Sequence, residues 1–289
     1  MALIAIIISL VAERFLGSME EFRRFGWFRR YAGWLLPRLS PYRYLNGPAG
    51  VILLLLIPLG VVSAVDYYLG QWWVVLSLLF SVLVLLFSFG PTDLEAEVEA
   101  YIDARERGDE ESACWHASEL LGEEPPEGAG VLARRIIENT LVEANERVLA
   151  ILLWFLLLGP AGALMYRLTS QLELYTTRHG GEALAEPVQR LHAILAWLPG
   201  RICAFSYALA GSFVDALQAW GRQQESWHEN NRAVLIASGL GALGYHEGDE
   251  TAEQEGDSEV VHETLDLVRR AVLVFLSVIA LFTLAGWMA

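Results

Sequence analysis

Apolar residues fall into long, almost uncharged blocks along this chain, at 51–62, 72–89, 148–158 and 271–289. A hydrocarbon core of about 30 Å takes about 20 apolar helical residues, and several of these blocks approach that length. The pattern predicts an all-α, polytopic integral membrane protein with about five spans. A short N-terminal membrane helix and several cytoplasmic amphipathic helices complete the predicted architecture.

The first fifty residues are expected to lie in and against the membrane. Residues 1–12 are apolar but too few to span easily, and they lack the basic start of a signal peptide. We expect a half-buried or re-entrant helix that stays on the protein. Arginines alternate with aromatic residues over 14–43, which is typical of an interfacial helix on the cytoplasmic side. A soluble amphipathic helix is the alternative for this segment.

The rest of the chain alternates between membrane and acidic segments. Residues 48–69 and 71–90 predict a membrane hairpin whose turn, 66–68, faces outward. Residues 91–147 carry sixteen acids against five arginines and predict a cytoplasmic helical insertion. Thr92 is the expected N-cap of its first helix, and its second helix is expected at Glu110–Leu121. A second acidic cytoplasmic segment, 222–266, includes a mobile loop, and 1–289 form a single membrane domain.

Composition and charge narrow the classes of function. Only 19% of the 289 residues are charged, 54% are hydrophobic, and the mean hydropathy is +0.38. A net charge of −15 argues against a nucleic-acid partner, which requires a basic surface. Cys114 and Cys203 are too few for a disulfide framework or a cysteine-based metal site. The histidines and glycines form no familiar metal, nucleotide or hydrolase motif.

The densest polar set lies at 138–147, where a long helix enters the apolar run. Helical spacing places Asn139, Glu143 and Glu146 on one stripe, with Arg135 one turn earlier. Glu138 and Asn145 lie on the adjoining face. Two carboxylates, Glu143 and Glu146, with an amide beside them are suitable ligands for Mg²⁺ together with a nucleotide or another phosphate ligand. An interfacial cap in which arginines neutralise the glutamates is the open alternative.

Four stretches of this sequence resemble a known family. They are AERFLG, GDEESACWHASELLG, ENTLVEANERVLAILLWFLLLGPAGALMYR and QRLHAILAWLPGRI. Together they are similar to the AmpE family of inner-membrane proteins over nearly the whole chain. That family is distantly related to adenosylcobinamide-phosphate synthase, which joins an aminopropanol phosphate to a corrinoid carboxylate in cobalamin synthesis.

The departures from the synthase pattern bear on activity. Of its D-x-x-x-G-D-P motif only the first acid is kept, as Glu13. Its paired aspartates correspond to His192 and Ala193, which implies that the corrinoid reaction is lost. Tyr166, Arg190 and Arg201 match the pattern, which implies a retained scaffold and an anionic pocket.

Two functions follow from the resemblance. The first is a non-enzymatic accessory protein in the inner (cytoplasmic) membrane of a Gram-negative bacterium, a signalling modulator of beta-lactamase induction, antibiotic resistance and peptidoglycan recycling. It would bind an anionic small molecule at the cytoplasmic membrane edge, and no residue is assigned as catalytic. The alternative is a membrane-bound amide-forming ligase that uses a nucleoside triphosphate and Mg²⁺. The sequence leaves open whether two copies form a homodimer in the lipid bilayer. The expected ligand-binding residues are Glu13, Arg14, Arg135, Glu138, Asn139, Glu143, Asn145, Glu146, Arg147, Tyr166 and Arg201.

Overall fold

The computed structural model describes residues 2–16, 25–39, 47–89, 93–179, 182–222, 230–245 and 258–285. Within these ranges the regular structure is helical and there is no strand, so the predicted all-α class is confirmed. The helices are α1 (Ala2–Leu16), α2 (Gly26–Leu39), α3 (Pro48–Trp72), α4 (Val74–Ser88), α5 (Leu94–Glu106), α6 (Glu110–Leu121), α7 (Ala129–Ala144), α8 (Ala150–His179), α9 (Glu182–Ala210), α10 (Phe213–Gly221), α11 (Asn230–Ala242) and α12 (Ser258–Leu284).

The chain divides into two compact units, each made of two chain segments. The first unit combines Met1–Pro91 with Ala150–Trp197, and the second combines Thr92–Leu149 with Leu198–Met288. The prediction of one membrane domain over 1–289 stays a prediction.

In the described part of the chain, three stretches of helix are long and apolar enough to cross a membrane. They are Pro48–Trp72, Ala129–Thr177 and Leu184–Ala210, with mean hydropathies of 2.4, 2.3 and 1.4. Ala2–Glu13 and Val74–Ser88 are shorter apolar helices. The apolar run that begins at residue 271 forms the second half of α12. These helices make the chain a membrane protein by length and composition.

The turn of the first hairpin lies elsewhere than the sequence predicts. Asp66, Tyr67 and Tyr68 lie inside α3, and the chain turns at Trp73, whose backbone is extended. No glycine or proline interrupts α3 at 66–68, so the helix continues through the aromatic pair. Trp72 and Trp73, at the turn itself, are 79% and 69% exposed.

Aromatic residues of α2 form much of the first unit's core. Phe28 and Ala32 are buried, together with Phe25 just before the helix, and they pack with Leu54 of α3 and Leu168 of α8. Arg29, Arg30 and Arg38 lie outside that buried face and are exposed. The helix therefore has the amphipathic character that the Arg/aromatic alternation predicts.

The long helix α8 is interrupted in its apolar part. Gly159 has φ +67 and ψ −155, and Pro160 follows it. A φ in this range favours glycine, and a proline inside a helix removes a backbone hydrogen bond. At Gly162 a Cβ would lie 2.1 Å from the carbonyl oxygen of Trp154, so only glycine fits there.

Helix ends in the second unit follow local capping rules. The predicted N-cap of the first acidic helix is corrected from Thr92, which lies outside the described residues, to Asp93, whose carboxylate accepts from the backbone N–H of Glu95. Helix α6 has the bounds that the sequence predicts and ends at Gly122 in the left-handed region. Gly180, Gly181 and most of the predicted mobile loop also lie outside the described residues.

Candidate functional site

A single π-helical turn, Asn145–Leu149, lies between α7 and α8 in the second unit. Turns of this kind insert one residue into a helix and often occur at functional sites. Asn145 is 1% exposed, and neither atom of its side-chain amide has a hydrogen-bond partner among the described residues. Because buried polar groups are nearly always paired, this amide is available for a ligand or a water molecule.

Arg147, in the same turn, joins two carboxylates from different helices. Its Nε lies 2.7 Å from Oε2 of Glu143, and its Nη1 lies 2.9 Å from Oε2 of Glu97 in α5. The Arg147 and Glu97 side chains are only 14% and 17% exposed. One guanidinium between two carboxylates leaves this trio with a formal excess of one negative charge. We call Glu97, Glu143 and Arg147 the carboxylate–arginine trio.

Glu138 and Asn139 are occupied by contacts within the fold. Glu138 lies 3.1 Å from Nε of Arg134 and 4.0 Å from Nη1 of the more exposed Arg135. The Asn139 amide donates to the backbone carbonyl of Leu120 at 3.0 Å. These pairings agree with the alternative in which arginines neutralise the glutamates. The ligand roles predicted for Arg135, Glu138 and Asn139 stay predictions.

The part of α9 from Leu198 onwards belongs to the second unit and contacts this segment. The hydroxyl of buried Tyr207 donates to the carbonyl of Leu141 at 2.8 Å. Arg201, half-buried, donates from Nη1 to the Oδ1 atom of Asn231. The sequence predicts that a charge at this position needs a partner, and one partner is this neutral amide from α11.

The other predicted site residues belong to the first unit. Tyr166 is fully buried, and its ring centroid lies 5.4 Å from that of His192. Nδ1 of His192 lies 2.6 Å from Oε2 of Glu173. Glu13 is half-buried near the end of α1, and the side chain of Arg14 lies outside the described part of the chain.

Divalent-metal ligands are not grouped in the part of the chain that the structure describes. No cluster of three or more histidine, cysteine, aspartate or glutamate side chains with metal-binding geometry is present there. Glu143 is held by Arg147, and half-buried Glu146 also has a partner. The assignment of Glu143 and Glu146 to Mg²⁺ stays a prediction.

Sequence reasoning missed the contacts that cross long stretches of chain. Glu97 is fifty residues from Arg147, and no local pattern connects them. The His192–Glu173 pair joins two helices of the first unit. Sequence reasoning also gave Asp66 no functional role. An acidic residue in an apolar run indicates a functional position, but the sequence predicts Asp66 in the hairpin turn, where a charge needs no further reason.

The helices, the membrane-length runs and the buried polar site define an all-α membrane protein with a candidate ligand site at the π-turn. Residues 6–267 match the model of the CobD/Cbib protein family, so the chain belongs to that family. A cobalamin biosynthesis protein CobD from Chromobacterium violaceum is 31% identical over 212 residues, which cover 69% of this chain and 64% of that relative. The protein of the same name from Stutzerimonas stutzeri is 32% identical over 173 residues, 54% of this chain and 56% of the relative.

The alignments thus span less than two thirds of the length of these curated relatives. No solved structure matches the chain. The distant relation to the cobalamin-synthesis family is confirmed. The finer assignment to the AmpE family stays a prediction that rests on the four quoted sequence stretches.

Proposed function

We propose that this protein is a membrane-bound, amide-forming ligase related to adenosylcobinamide-phosphate synthase, which joins a carboxylate to an amine. A nucleoside triphosphate activates the carboxylate, so that the neutral amine displaces a phosphate-bearing leaving group and gives up a proton. The family match over residues 6–267 supports this proposal, because it includes the π-turn and all three members of the carboxylate–arginine trio. The two curated relatives are named for cobalamin biosynthesis. The sequence resemblance supplies the reaction type.

The observation that carries the proposal is the buried amide of Asn145 without a partner in the described chain. An asparagine amide donates through its nitrogen and accepts through its oxygen. Such a group can donate to a substrate carboxylate or carbonyl oxygen and accept from an amine or amide N–H. An amide-forming reaction presents both kinds of atom at one place, and a fixed donor and acceptor would orient them.

The carboxylate–arginine trio complements the amide. Its formal excess of one negative charge favours an approaching ammonium group over an anion. Glu143 is 30% exposed, so it is the member of the trio most open to a ligand. In this proposal the trio attracts the amine, and Asn145 orients the groups to be joined.

The ligase proposal is tested with the purified full-length protein. A corrinoid carboxylate, an aminopropanol phosphate and Mg²⁺–ATP are supplied, and mass spectrometry detects the amide product. We expect product from the native protein and a loss of about a hundredfold or more in Asn145→Ala, as for other positioning groups. Asp103→Ala, at an exposed position of α5 outside the π-turn, is the matched control. Absence of product from the folded native protein contradicts the proposal.

A second candidate is the accessory protein of beta-lactamase and peptidoglycan-recycling signalling in the inner membrane of a Gram-negative bacterium. One observation favours it. The resemblance implies paired aspartates where this chain has His192 and Ala193, and His192 instead pairs with Glu173. The His192 imidazole, paired with Glu173, thus stands where the resemblance implies an aspartate carboxylate. The loss of that carboxylate favours a protein without the synthase reaction.

The two candidates separate in one pair of measurements. If the protein is accessory, deleting it changes beta-lactamase induction, and the purified native chain forms no amide. The double substitution His192→Asp/Ala193→Asp then creates amide-forming activity if the rest of the site is retained. If the native chain is a ligase, the deletion leaves induction unchanged.

A further inference from the structure

Asp66 is an acidic residue placed inside a membrane-length helix. It lies six residues before the end of α3, within the apolar stretch Pro48–Trp72. Ionisable groups in such helices are energetically costly and generally serve a pathway or a ligand. Half-buried Asp66 accepts a hydrogen bond from the Ser77 hydroxyl of α4 at 3.3 Å.

The Asp66 carboxylate lines a cavity of about 350 Å³ in the first unit, formed by α1, α3, α4 and α8. The hydroxyl-bearing side chains Ser77 and Ser81 line it as well. None of the described residues that line it is basic. Because a carboxylate removed from water needs a counter-charge, this wall is complementary to a cation.

The break in α8 lies against the same cavity. Leu156, Gly159 and Pro160 all line it. Pro160 has no N–H, so it cannot donate to the carbonyl of Leu156 as residue 160 of a regular helix would. Backbone carbonyls at interrupted membrane helices are known ligands for monovalent cations.

We propose that this cavity binds a small monovalent cation, either a metal ion such as Na⁺ or K⁺ or a primary ammonium group. Asp66 supplies the counter-charge, and the hydroxyls of Ser77 and Ser81 with backbone carbonyls near Gly159 supply neutral oxygens. A single carboxylate suits one positive charge, whereas calcium sites in proteins combine several carboxylates. The site is independent of the proposed ligase activity, since it uses none of the residues at the π-turn.

The experiment measures thermal unfolding of the full chain in a mild detergent at constant pH and ionic strength. Choline chloride is replaced stepwise by sodium, potassium or methylammonium chloride. A cation that binds the folded state raises Tm in a saturable manner. Saturation by sodium or potassium identifies a metal-ion site, and saturation by methylammonium alone identifies an ammonium site. If none of the three salts produces a saturable rise, the proposal is wrong.

Variants locate the effect in the cavity. Asp66→Asn is expected to raise the concentration at half-saturation by about tenfold or more, because the only charged side chain among the described lining residues loses its charge. Asp103→Asn, on an exposed position of α5, is the matched control and keeps the native response. A native response in Asp66→Asn overturns the proposal. If that variant does not fold, Ser77→Ala/Ser81→Ala must weaken the response, and unchanged saturation there overturns it too.

Discussion

Among individual residues, Arg147 decides the charge balance of the second unit's candidate site. Its guanidinium bridges Glu97 and Glu143 from two helices, with little exposure of Arg147 or Glu97. A buried ion pair is weak evidence for stability, but removing one partner leaves an uncompensated charge. We expect Arg147→Met to lower the free energy of unfolding by about 3–5 kcal/mol.

Arg190→Met is the control for this prediction. Arg190 and Glu186 are 2.5 Å apart, but their side chains are 66% and 71% exposed. Exposed pairs contribute about 1 kcal/mol or less. Denaturant unfolding in detergent measures both variants, and equal losses would contradict the role given to Arg147.

Asn145 predicts a separation of stability from activity. Replacing an unpartnered buried amide by an apolar group removes a desolvation penalty, so Asn145→Leu is expected to keep or raise stability by about 1–3 kcal/mol. Asn139→Leu should instead lose stability, since its amide is bonded to Leu120. The two unfolding free energies are compared directly. A large loss in Asn145→Leu would mean that the amide is partnered after all.

At the scale of elements, the start of α6 is sensitive to pH. The Ser112 hydroxyl and backbone N–H donate to Asp109 at 2.7 and 3.1 Å, and these bonds hold the pKa of the Asp109 carboxyl below its ordinary value. Its contribution is therefore fully present above the ordinary pKa and is lost as pH falls through the lowered one. The protection factor of the Ser112 amide, which is the intrinsic exchange rate divided by the observed one, should therefore fall over that pH range.

Substitutions at Asp109 distinguish the cap from general acid unfolding. Asp109→Asn keeps a good N-cap that does not titrate. The protection factor of the Ser112 amide in this variant should therefore no longer fall in acid. Asp109→Ala should exchange rapidly at every pH. If all three proteins respond alike to acid, the cap is not the cause.

The interruption of α8 depends on the absence of a side chain at Gly162. Gly162→Ala places a Cβ against the carbonyl of Trp154 and should cost at least about 1–3 kcal/mol of stability. Gly60→Ala is the matched control, because a Cβ there meets no atom within 4 Å. Thermal unfolding compares the two. A tolerated Gly162→Ala would show that this turn relaxes easily.

Local signals predicted elements better than connections between them. Glu110–Leu121 was predicted with its bounds because a left-handed glycine ends the helix at Gly122. The prediction of a hairpin turn at 66–68 is wrong, because interfacial aromatic residues do not by themselves interrupt a helix. The extra residue of the π-turn rotates the side chains after Asn145 away from the positions that they have in a regular α-helix. A prediction from regular helical spacing therefore misplaces them.

At the scale of the whole molecule, the two cysteines report membrane topology. Cys114 is exposed on α6, and Cys203 is buried in α9. The arginine distribution predicts that 91–147 face the cytoplasm. A membrane-impermeant maleimide should therefore label Cys114 in inside-out vesicles but not in spheroplasts, and should leave Cys203 unlabelled until denaturation.

Cys114→Ser and Cys203→Ser identify the labelled position in that measurement. Labelling of Cys114 in spheroplasts would place the acidic insertion on the outer side and reverse the predicted orientation. The fold class could be predicted from the apolar blocks alone, because their length is fixed by the bilayer. The pairing of Arg147 with Glu97 could not, because it depends on tertiary packing.

The last described helix, α12, forms ion pairs with α5, which lies about 170 residues earlier in the chain. Arg269 of α12 lies 2.7 Å from Glu99 of α5, and it also bonds Glu95 of that helix. The hydrogen bond to Glu95 raises the pKa of Arg269 above its ordinary value. Charge-assisted bonds of this kind favour one fixed arrangement of the two helices.

The ion pairs between α5 and α12 can form only late in translation, because α12 is the last of the described helices to be synthesised. The first unit has all of its described segments once residue 197 has left the ribosome, whereas the second must wait for α12. Its acidic helices therefore emerge early and spend most of the synthesis time without their last neighbour. A ribosome that stalls between these points leaves a nascent chain in which Glu95 and Glu99 lack Arg269.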